Sequence, residues 1–86
     1  MKFQRSERFK RMYKKLDVEQ QNAIKRALNL ISDNINHLSL RVKRIQGTKG
    51  IWEASATMSL RITFNWENDL IILRNCGEHD ITLKNP

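Results

Sequence analysis

The clearest pattern of apolar and polar positions lies in residues 60–67, where the two kinds of side chain alternate without a break. Strict alternation is typical of a β-strand with one buried face, because successive side chains point to opposite sides. The inward set is Leu60, Ile62, Phe64 and Trp66, and the outward set is Arg61, Thr63 and Asn65. The pattern therefore predicts an arginine held on the open face of a rigid strand.

One more strand is predicted before this one in the sequence, and another after it. Residues 51–57 also alternate, and a tight turn near Met58 and Ser59 leads from them into residues 60–67. Asn68 and Asp69 favour a hairpin turn into residues 70–76. This last strand begins with four consecutive apolar residues, which indicates burial on both faces and a central position in the sheet. The three strands form an antiparallel meander.

The first third of the chain predicts two amphipathic helices. Ser6 can cap a helix that runs to about residue 16, and Asp17 with Gln20 resembles a capping box that opens a second helix to about residue 34. A short strand is also predicted around residues 1–5. The sequence thus predicts an α+β fold in which an N-terminal helical hairpin packs on a small antiparallel sheet, as one domain over residues 1–86. The two apolar stripes are Phe9, Met12, Tyr13 and Leu16, then Ile24, Ala27, Leu28, Ile31 and Ile35.

Composition narrows the class of protein. The single cysteine, Cys76, excludes a disulfide within the chain, as in proteins of the reducing cytosol, and we interpret it as an inert strand residue. Cysteine and histidine do not cluster, so a structural zinc site is not expected. We also predict no cofactor. Charges recur every few residues, and no apolar run is long enough to cross a membrane. We therefore expect a cytoplasmic protein without a membrane anchor.

The formal net charge of +7 is concentrated in two blocks. Residues 1–16 contain seven basic residues and one acidic residue, and residues 37–50 contain four basic residues and no acidic one. Such blocks favour a polyanionic partner, and RNA, DNA and an acidic protein all fit. A solvated basic surface that only maintains solubility is the simpler interpretation.

Short motifs in a fixed order give the chain a family resemblance. They are Ile45-Gln46-Gly47, Ile51-Trp52-Glu53, Arg61-Ile62-Thr63-Phe64 and Gly77-Glu78-His79-Asp80, after a basic helical hairpin. Over essentially the whole chain, this order resembles the RelE/ParE superfamily of bacterial toxin–antitoxin toxins. The resemblance implies a RelE-like, microbial-ribonuclease-like fold. It also implies an mRNA endonuclease that acts on the ribosome without a metal, and an acidic antitoxin as partner.

The resemblance implies roles for particular residues. In-line attack of a ribose 2′-hydroxyl on the next phosphate needs a base, fixed positive charge and an acid for the leaving oxygen. Arg61 matches the family's strand arginine, and His79 falls where the family carries a basic or histidine residue near its C-terminus. Glu53 is a further candidate for the base. The candidate RNA-binding residues are Lys43, Arg44 and Lys49 in the basic loop and Arg74, which either joins the Arg61 face or packs along a strand edge.

Two departures from the family keep other interpretations open. Ser55 stands where members often carry a basic side chain, and Leu83 stands near a position that is often tyrosine. A ParE-type gyrase poison, which binds without cutting RNA, is the alternative function. Arg61 and Glu53 can also form a simple surface ion pair, Glu53 can be a plain strand-surface charge, and His79 can be a capping or packing residue.

Overall fold

The computed structural model describes residues 1–86 and confirms the α+β class. In chain order the elements are β1 (Lys2–Arg5), α1 (Glu7–Lys14), α2 (Val18–Asn34), a 3₁₀-helix (Leu38–Leu40), β2 (Lys43–Arg44), β3 (Ile51–Ser55), β4 (Leu60–Glu67), β5 (Leu70–Glu78) and α3 (His79–Lys84). The sequence predicted neither β2 nor α3. No helix is long and apolar enough to span a membrane.

Local hydrogen bonds begin both long helices as predicted. The Ser6 side chain accepts from the Phe9 N–H at 3.0 Å and caps α1. At the start of α2, Asp17 and Gln20 form a complete capping box, in which each side chain accepts from the other residue's N–H. These contacts satisfy N–H groups that the first helical turn leaves without partners.

The sheet has five strands in the order β1-β5-β4-β3-β2. The prediction of an antiparallel sheet is wrong for β1, which pairs with β5 in parallel. The other neighbouring strands are antiparallel, so the sheet is mixed. Pairing between the two ends of a chain leaves no local pattern in the sequence, whereas a hairpin does. Strand β5 was predicted to be central; it is an interior strand between β1 and β4, whereas β4 occupies the middle of the sheet.

One face of the sheet, which we call the core face, packs against α1 and α2. It carries Ile62 and Phe64 of β4, both fully buried. Helix α2 covers this face with its buried stripe, and Phe9 of α1 joins the same cluster. Trp52 and Trp66 pack at its margin edge to face, with ring centroids 5.1 Å apart. The inward set predicted for β4 is therefore confirmed, with Trp66 only half-buried.

The register of the strands shows which residues lie on the opposite face of the sheet, which we call the polar face. Directly opposed residues share a face, and one row across β2, β3, β4 and β5 reads Lys43, Glu53, Thr63 and Asn75. Arg61 lies in the next row, opposite Ser55 and Gly77. Helix α3 packs over this face: a Cβ on Gly77 would lie 3.1 Å from Thr82 Oγ1. The chain end therefore covers part of the surface on which the candidate residues stand.

Candidate functional site

The guanidinium of Arg61 is held against the β3–β4 turn (residues 56–59). Its Nη1 lies 2.8 Å from the carbonyl oxygen of Thr57 and 3.1 Å from those of Met58 and Leu60. The side chain is only 13% exposed. Arg61 is thus anchored by main-chain acceptors, and its orientation is fixed before any ligand binds.

Glu53 provides the counter-charge to Arg61. Arg61 Nε lies 3.5 Å from Glu53 Oε1, and the two side chains are 13% and 10% exposed. The distance makes an ion pair, but Nε is buried and makes no hydrogen bond, because the geometry is not aligned for one. The sequence allowed for a surface ion pair here, and the structure forms the pair in a largely buried position. Its electrostatic attraction is therefore screened less than that of a surface pair.

One nitrogen of Arg61 remains available. Nη2 has no partner within the chain, and the only buried side-chain atom without a hydrogen bond is Nε, so Nη2 reaches solvent. The structure therefore presents a single N–H₂ group, backed by a fixed guanidinium, at the rim of the polar face. A phosphate oxygen is a suitable acceptor for such a group.

His79 begins α3 and is tied to the same turn as Arg61. Its main-chain N–H donates to the Ser59 carbonyl at 2.7 Å. Its Nδ1 lies 2.8 Å from Asp80 Oδ1, and its side chain is 44% exposed. The carboxylate orients the ring and leaves Nε2 without a partner in the chain. The β3–β4 turn thus connects the Arg61 side chain with the His79 backbone.

The three basic residues predicted in one loop are separated by the structure. Lys43 and Arg44 form β2, and since Lys43 opposes Glu53 while Arg44 opposes Trp52, they point to opposite faces. Only Lys43 therefore joins the polar face. Lys49 is exposed in the connection between β2 and β3. The loop prediction is wrong for residues 43 and 44, which form the edge strand of the sheet.

Arg74 joins the polar face rather than packing along a strand edge. Its Nη1 donates to Asn65 Oδ1 at 2.9 Å, and its Nε donates to the Pro86 carbonyl at 3.3 Å. The register of β4 and β5 shifts between Thr63 and Phe64, and this irregularity leaves Arg74 between the paired positions of β5. Asn75 donates to the Asn85 carbonyl at 3.0 Å. Adjacent side chains of β5 thus hold the end of the chain on the polar face.

Arg8 also contacts Arg74 and the end of the chain, and the sequence did not point to it. Its Nε donates to the Arg74 carbonyl at 3.1 Å and its Nη2 to the Pro86 carbonyl at 2.6 Å. Burial lowers the pKa of Arg8, and the nearby charges of Arg74 and Arg11 lower it further. No pattern in the sequence signals that residues 8 and 74 meet, because their contact depends on how α1 packs on β5.

The site brings together cations and a few polar groups, without a metal-binding cluster. No three histidine, cysteine, aspartate or glutamate residues lie close enough together to hold a metal ion. Burial raises the pKa of the Cys76 thiol to about 12, so Cys76 is a poor nucleophile at neutral pH. These side chains therefore offer hydrogen bonding and positive charge from Arg61 and a partly exposed imidazole at His79.

No protein-family model and no curated protein matches the sequence. Solved structures do match it: YafQ from E. coli has a TM-score of 0.78 at 16% identity over 93% of this chain and 94% of YafQ. A chain of the RelB–RelE antitoxin–toxin complex from Methanococcus jannaschii has a TM-score of 0.75 at 19% identity, over 96% of this chain and 99% of that one. The YoeB/ParE toxin from Agrobacterium tumefaciens has a TM-score of 0.74 at 14% identity, over 92% and 99%. At these identities the likeness concerns architecture, and the chain has the fold of the RelE/ParE-superfamily type II toxins YafQ, RelE and YoeB.

Proposed function

We propose that the chain is the toxin of a type II toxin–antitoxin system, acting as a ribosome-dependent, metal-independent endonuclease that cuts mRNA and inhibits translation. Three features support this function: the fold, the net charge of +7, and a fixed arginine with a partly exposed histidine at one turn. The single observation that carries the proposal is the state of Arg61. Its Nη1 is bound to three carbonyl oxygens, while its Nη2 makes no hydrogen bond within the chain and is not fully buried.

The proposed reaction is an internal transesterification of RNA. A ribose 2′-oxygen attacks the adjacent phosphorus while the bond from phosphorus to the 5′-oxygen of the next nucleotide breaks. The products are a 2′,3′-cyclic phosphate and a 5′-hydroxyl. Negative charge accumulates on the non-bridging phosphate oxygens, and Arg61 Nη2 would donate to one of them. Since Arg61 is already oriented, little reorganisation would accompany the reaction.

Proton transfer is assigned to His79 in this proposal. Asp80 holds Nδ1, so Nε2 is free either to accept the 2′-hydroxyl proton or to donate to the leaving 5′-oxygen, and a solvent water would carry the other proton. Glu53 fits a positioning role better than that of the base, because its side chain is 10% exposed and lies against Arg61. Of the predicted catalytic residues, Arg61 and His79 would therefore contact RNA, and Glu53 would hold Arg61.

The RNA backbone would follow the exposed rim of the polar face, because Glu53, Thr63 and Asn75 within that face are buried. Lys43 lies on this face in the same row as Glu53, and it is exposed on the edge strand. Lys49 and Arg44 are exposed nearby in sequence and add positive charge around the β2 edge. Arg74 is already bonded to Asn65 and the chain end, so we assign it a weaker share in RNA binding.

A cell-free translation reaction tests the endonuclease directly. Purified protein is added, and mRNA 5′ ends are mapped by primer extension, with and without ribosomes. We expect breaks that are in phase with codons and form only when ribosomes are present. They should persist after other metal ions are removed with EDTA and magnesium is added back for the ribosomes. They should disappear with Arg61→Ala and with His79→Ala. Arg26→Ala, an exposed arginine on α2, is the matched charge control and should cut normally. Breaks that survive both site variants would refute the assignment of the site.

A gyrase poison of the ParE type is the second candidate function. The observation that favours it is the low exposure of Arg61, since a side chain already bound to a turn suits a structural role. One similar structure also carries the name YoeB/ParE toxin. Intact mRNA in the translation assay, together with trapped gyrase–DNA complexes, would establish this alternative and refute the endonuclease.

The proposed partner is an acidic antitoxin. The E. coli DinJ–YafQ and M. jannaschii RelB–RelE structures are complexes of toxin with antitoxin. In this chain, a groove of about 600 Å³ between β1, α1 and α2 is lined by five basic residues and one acidic residue. Its apolar lining is Phe9, Tyr13 and Leu28. An acidic, amphipathic segment that folds on binding would match both the charge and the apolar part of this groove.

A further inference from the structure

Arg61 borders a hollow whose other walls have no part in the proposed chemistry. It lies between the 3₁₀-helix and the β3–β4 turn and has a volume of about 460 Å³. Its lining includes Leu38, Arg41, Ser55, Met58 and Arg61. We call it the Leu38–Met58 hollow. Its volume falls within the range of small-molecule sites in proteins, which suits a ligand of the size of one nucleotide.

The two most exposed large apolar side chains of the protein border this hollow. Leu38 is 91% exposed and Met58 is 87% exposed. They come from the two different elements between which the hollow lies, so they provide apolar surface on two of its walls. Single exposed apolar residues are ordinary on protein surfaces. Two of them at one hollow, each more exposed than any other large apolar residue, indicate a surface that a ligand covers.

The charge of the hollow is positive and has no acidic neighbour in the lining. Arg41 and Arg61 are its only ionisable residues. Arg41 has φ 47° and ψ 46°, a left-handed conformation that is uncommon for a residue with a long side chain. Strained backbone at a binding site is a recurrent feature of functional loops. Arg61 lines the hollow, and its Nη2 is a donor without a hydrogen-bond partner in the chain.

Arg61 links the charged and apolar parts of the hollow. Its Nη1 lies 3.1 Å from the Met58 carbonyl oxygen and 2.8 Å from that of Thr57. The guanidinium that presents Nη2 therefore also fixes the backbone from which the Met58 side chain projects. The guanidinium and the main chain at Met58 are consequently held in a fixed relative position.

We propose that the Leu38–Met58 hollow binds one nucleotide of single-stranded RNA, with the base against Leu38 and Met58 and the adjoining phosphate at Arg61 and Arg41. The choice of RNA as ligand rests on the proposed function. A nucleotide combines a flat base with apolar faces and an anionic phosphate in one molecule. The hollow offers apolar side chains for the base and arginines for the phosphate. No aromatic residue lines the hollow, so Leu38 and Met58 are the side chains that would contact the base.

Methyl NMR with small ligands tests this site without ribosomes or cleavage. Protein labelled at methionine and leucine methyl groups and at arginine Nε is titrated with each nucleoside 5′-monophosphate at about 0.15 M salt. Ribose 5-phosphate, which lacks a base, is the matched ligand. We expect both ligands to shift Arg61 Nε, and only the nucleotides to shift the Leu38 and Met58 methyl groups. Equal methyl shifts with ribose 5-phosphate, or none with nucleotides, would refute base binding.

Variants give the proposal a second measurement. Leu38→Ser and Met58→Ser change exposed side chains, so both should keep the melting temperature, yet each should raise the nucleotide Kd at least about fivefold. Val18→Ser, an apolar residue 71% exposed on α2, is the control and should leave the Kd unchanged. Unchanged Kd values in both hollow variants would overturn the proposal, as would a tetraglutamate peptide shifting the same methyl groups as strongly. If the protein binds nucleotides in this hollow but leaves mRNA intact, the proposed endonuclease activity is refuted and the nucleotide site remains supported.

Discussion

Arg61 Nε lies 3.5 Å from Glu53 Oε1 and is buried without a hydrogen bond. A guanidinium in this position is stabilised by charge attraction and by the three carbonyl oxygens around Nη1, rather than by a bidentate contact with Glu53. An acid aligned with both nitrogens would occupy the donors that a phosphate needs. The loose pair therefore compensates the charge of Arg61 and leaves Nη2 without a hydrogen bond in the chain, as the proposed phosphate contact requires.

Removing Glu53 should destabilise the protein because it leaves a largely buried cation without its counter-charge. We expect Glu53→Ala to lower the free energy of unfolding in urea by about 3 kcal/mol. The double variant Glu53→Ala/Arg61→Ala should lose less than the sum of the single losses, with a coupling of about 1 kcal/mol or more. Glu19→Ala, an exposed acid on α2, is the control. Strict additivity would show that the 3.5 Å contact contributes nothing.

Gly77 should tolerate no side chain, because two independent constraints act on it. Its φ is +147°, and a Cβ would lie 3.1 Å from Thr82 Oγ1 beneath α3. We expect Gly77→Ala to lower the free energy of unfolding by about 3 kcal/mol. Gly47→Ala, at φ +77° with open space around it, should cost about 1 kcal/mol from the backbone alone. The two losses are compared by thermal unfolding of both variants. Equal losses of unfolding free energy would mean that α3 moves freely away from β5.

Alternation and capping signals were enough to predict most of the elements. The alternating residues of β4, the Ser6 cap and the capping box at Asp17 all act within a few residues of sequence, so each is visible before the chain folds. The parallel pairing of β1 with β5 depends on chain ends that meet only in three dimensions. Helix α3 is six residues long and has no side-chain cap, so it left no sequence signal.

The candidate site could be predicted only in part for the same reason. Strand period placed Arg61 on the open face, and register then set it opposite Ser55, one row from Glu53. The sequence could not show that Arg61 folds back onto the β3–β4 turn, because that depends on two carbonyl oxygens of the turn and on that of Leu60 at the start of β4. Arg8 was missed because nothing in the sequence of α1 places it beside Arg74.

Cys76 should be protected from thiol reagents in the folded protein. Burial raises its pKa from 9.0 to about 12, so the reactive thiolate is scarce at pH 8. We expect labelling by DTNB to be slow in buffer and fast in urea. The unfolded thiol loses its proton from about pH 9, whereas the folded thiol keeps it, so stability contributed by this group should fall between pH 9 and 12. Fast labelling of the native protein would contradict its burial.

The groove between β1, α1 and α2 gives the last prediction, which concerns the acidic partner. Lys14 and Lys25 line this groove and are exposed, so their charges can be removed without disturbing the core. Lys14→Gln/Lys25→Gln should weaken binding of a cognate acidic antitoxin about tenfold at low salt, and should flatten the dependence of Kd on salt. Titration calorimetry at several salt concentrations measures both effects.

Lys49→Gln/Lys84→Gln is the matched control, since it removes the same charge from exposed sites outside the groove. A partner attracted only by the overall charge of +7 would respond equally to the two double variants, because long-range attraction depends on total charge. A partner seated in the groove would distinguish them, because contacts within about 10 Å are screened least. Equal weakening by both variants would therefore place the antitoxin elsewhere on the protein.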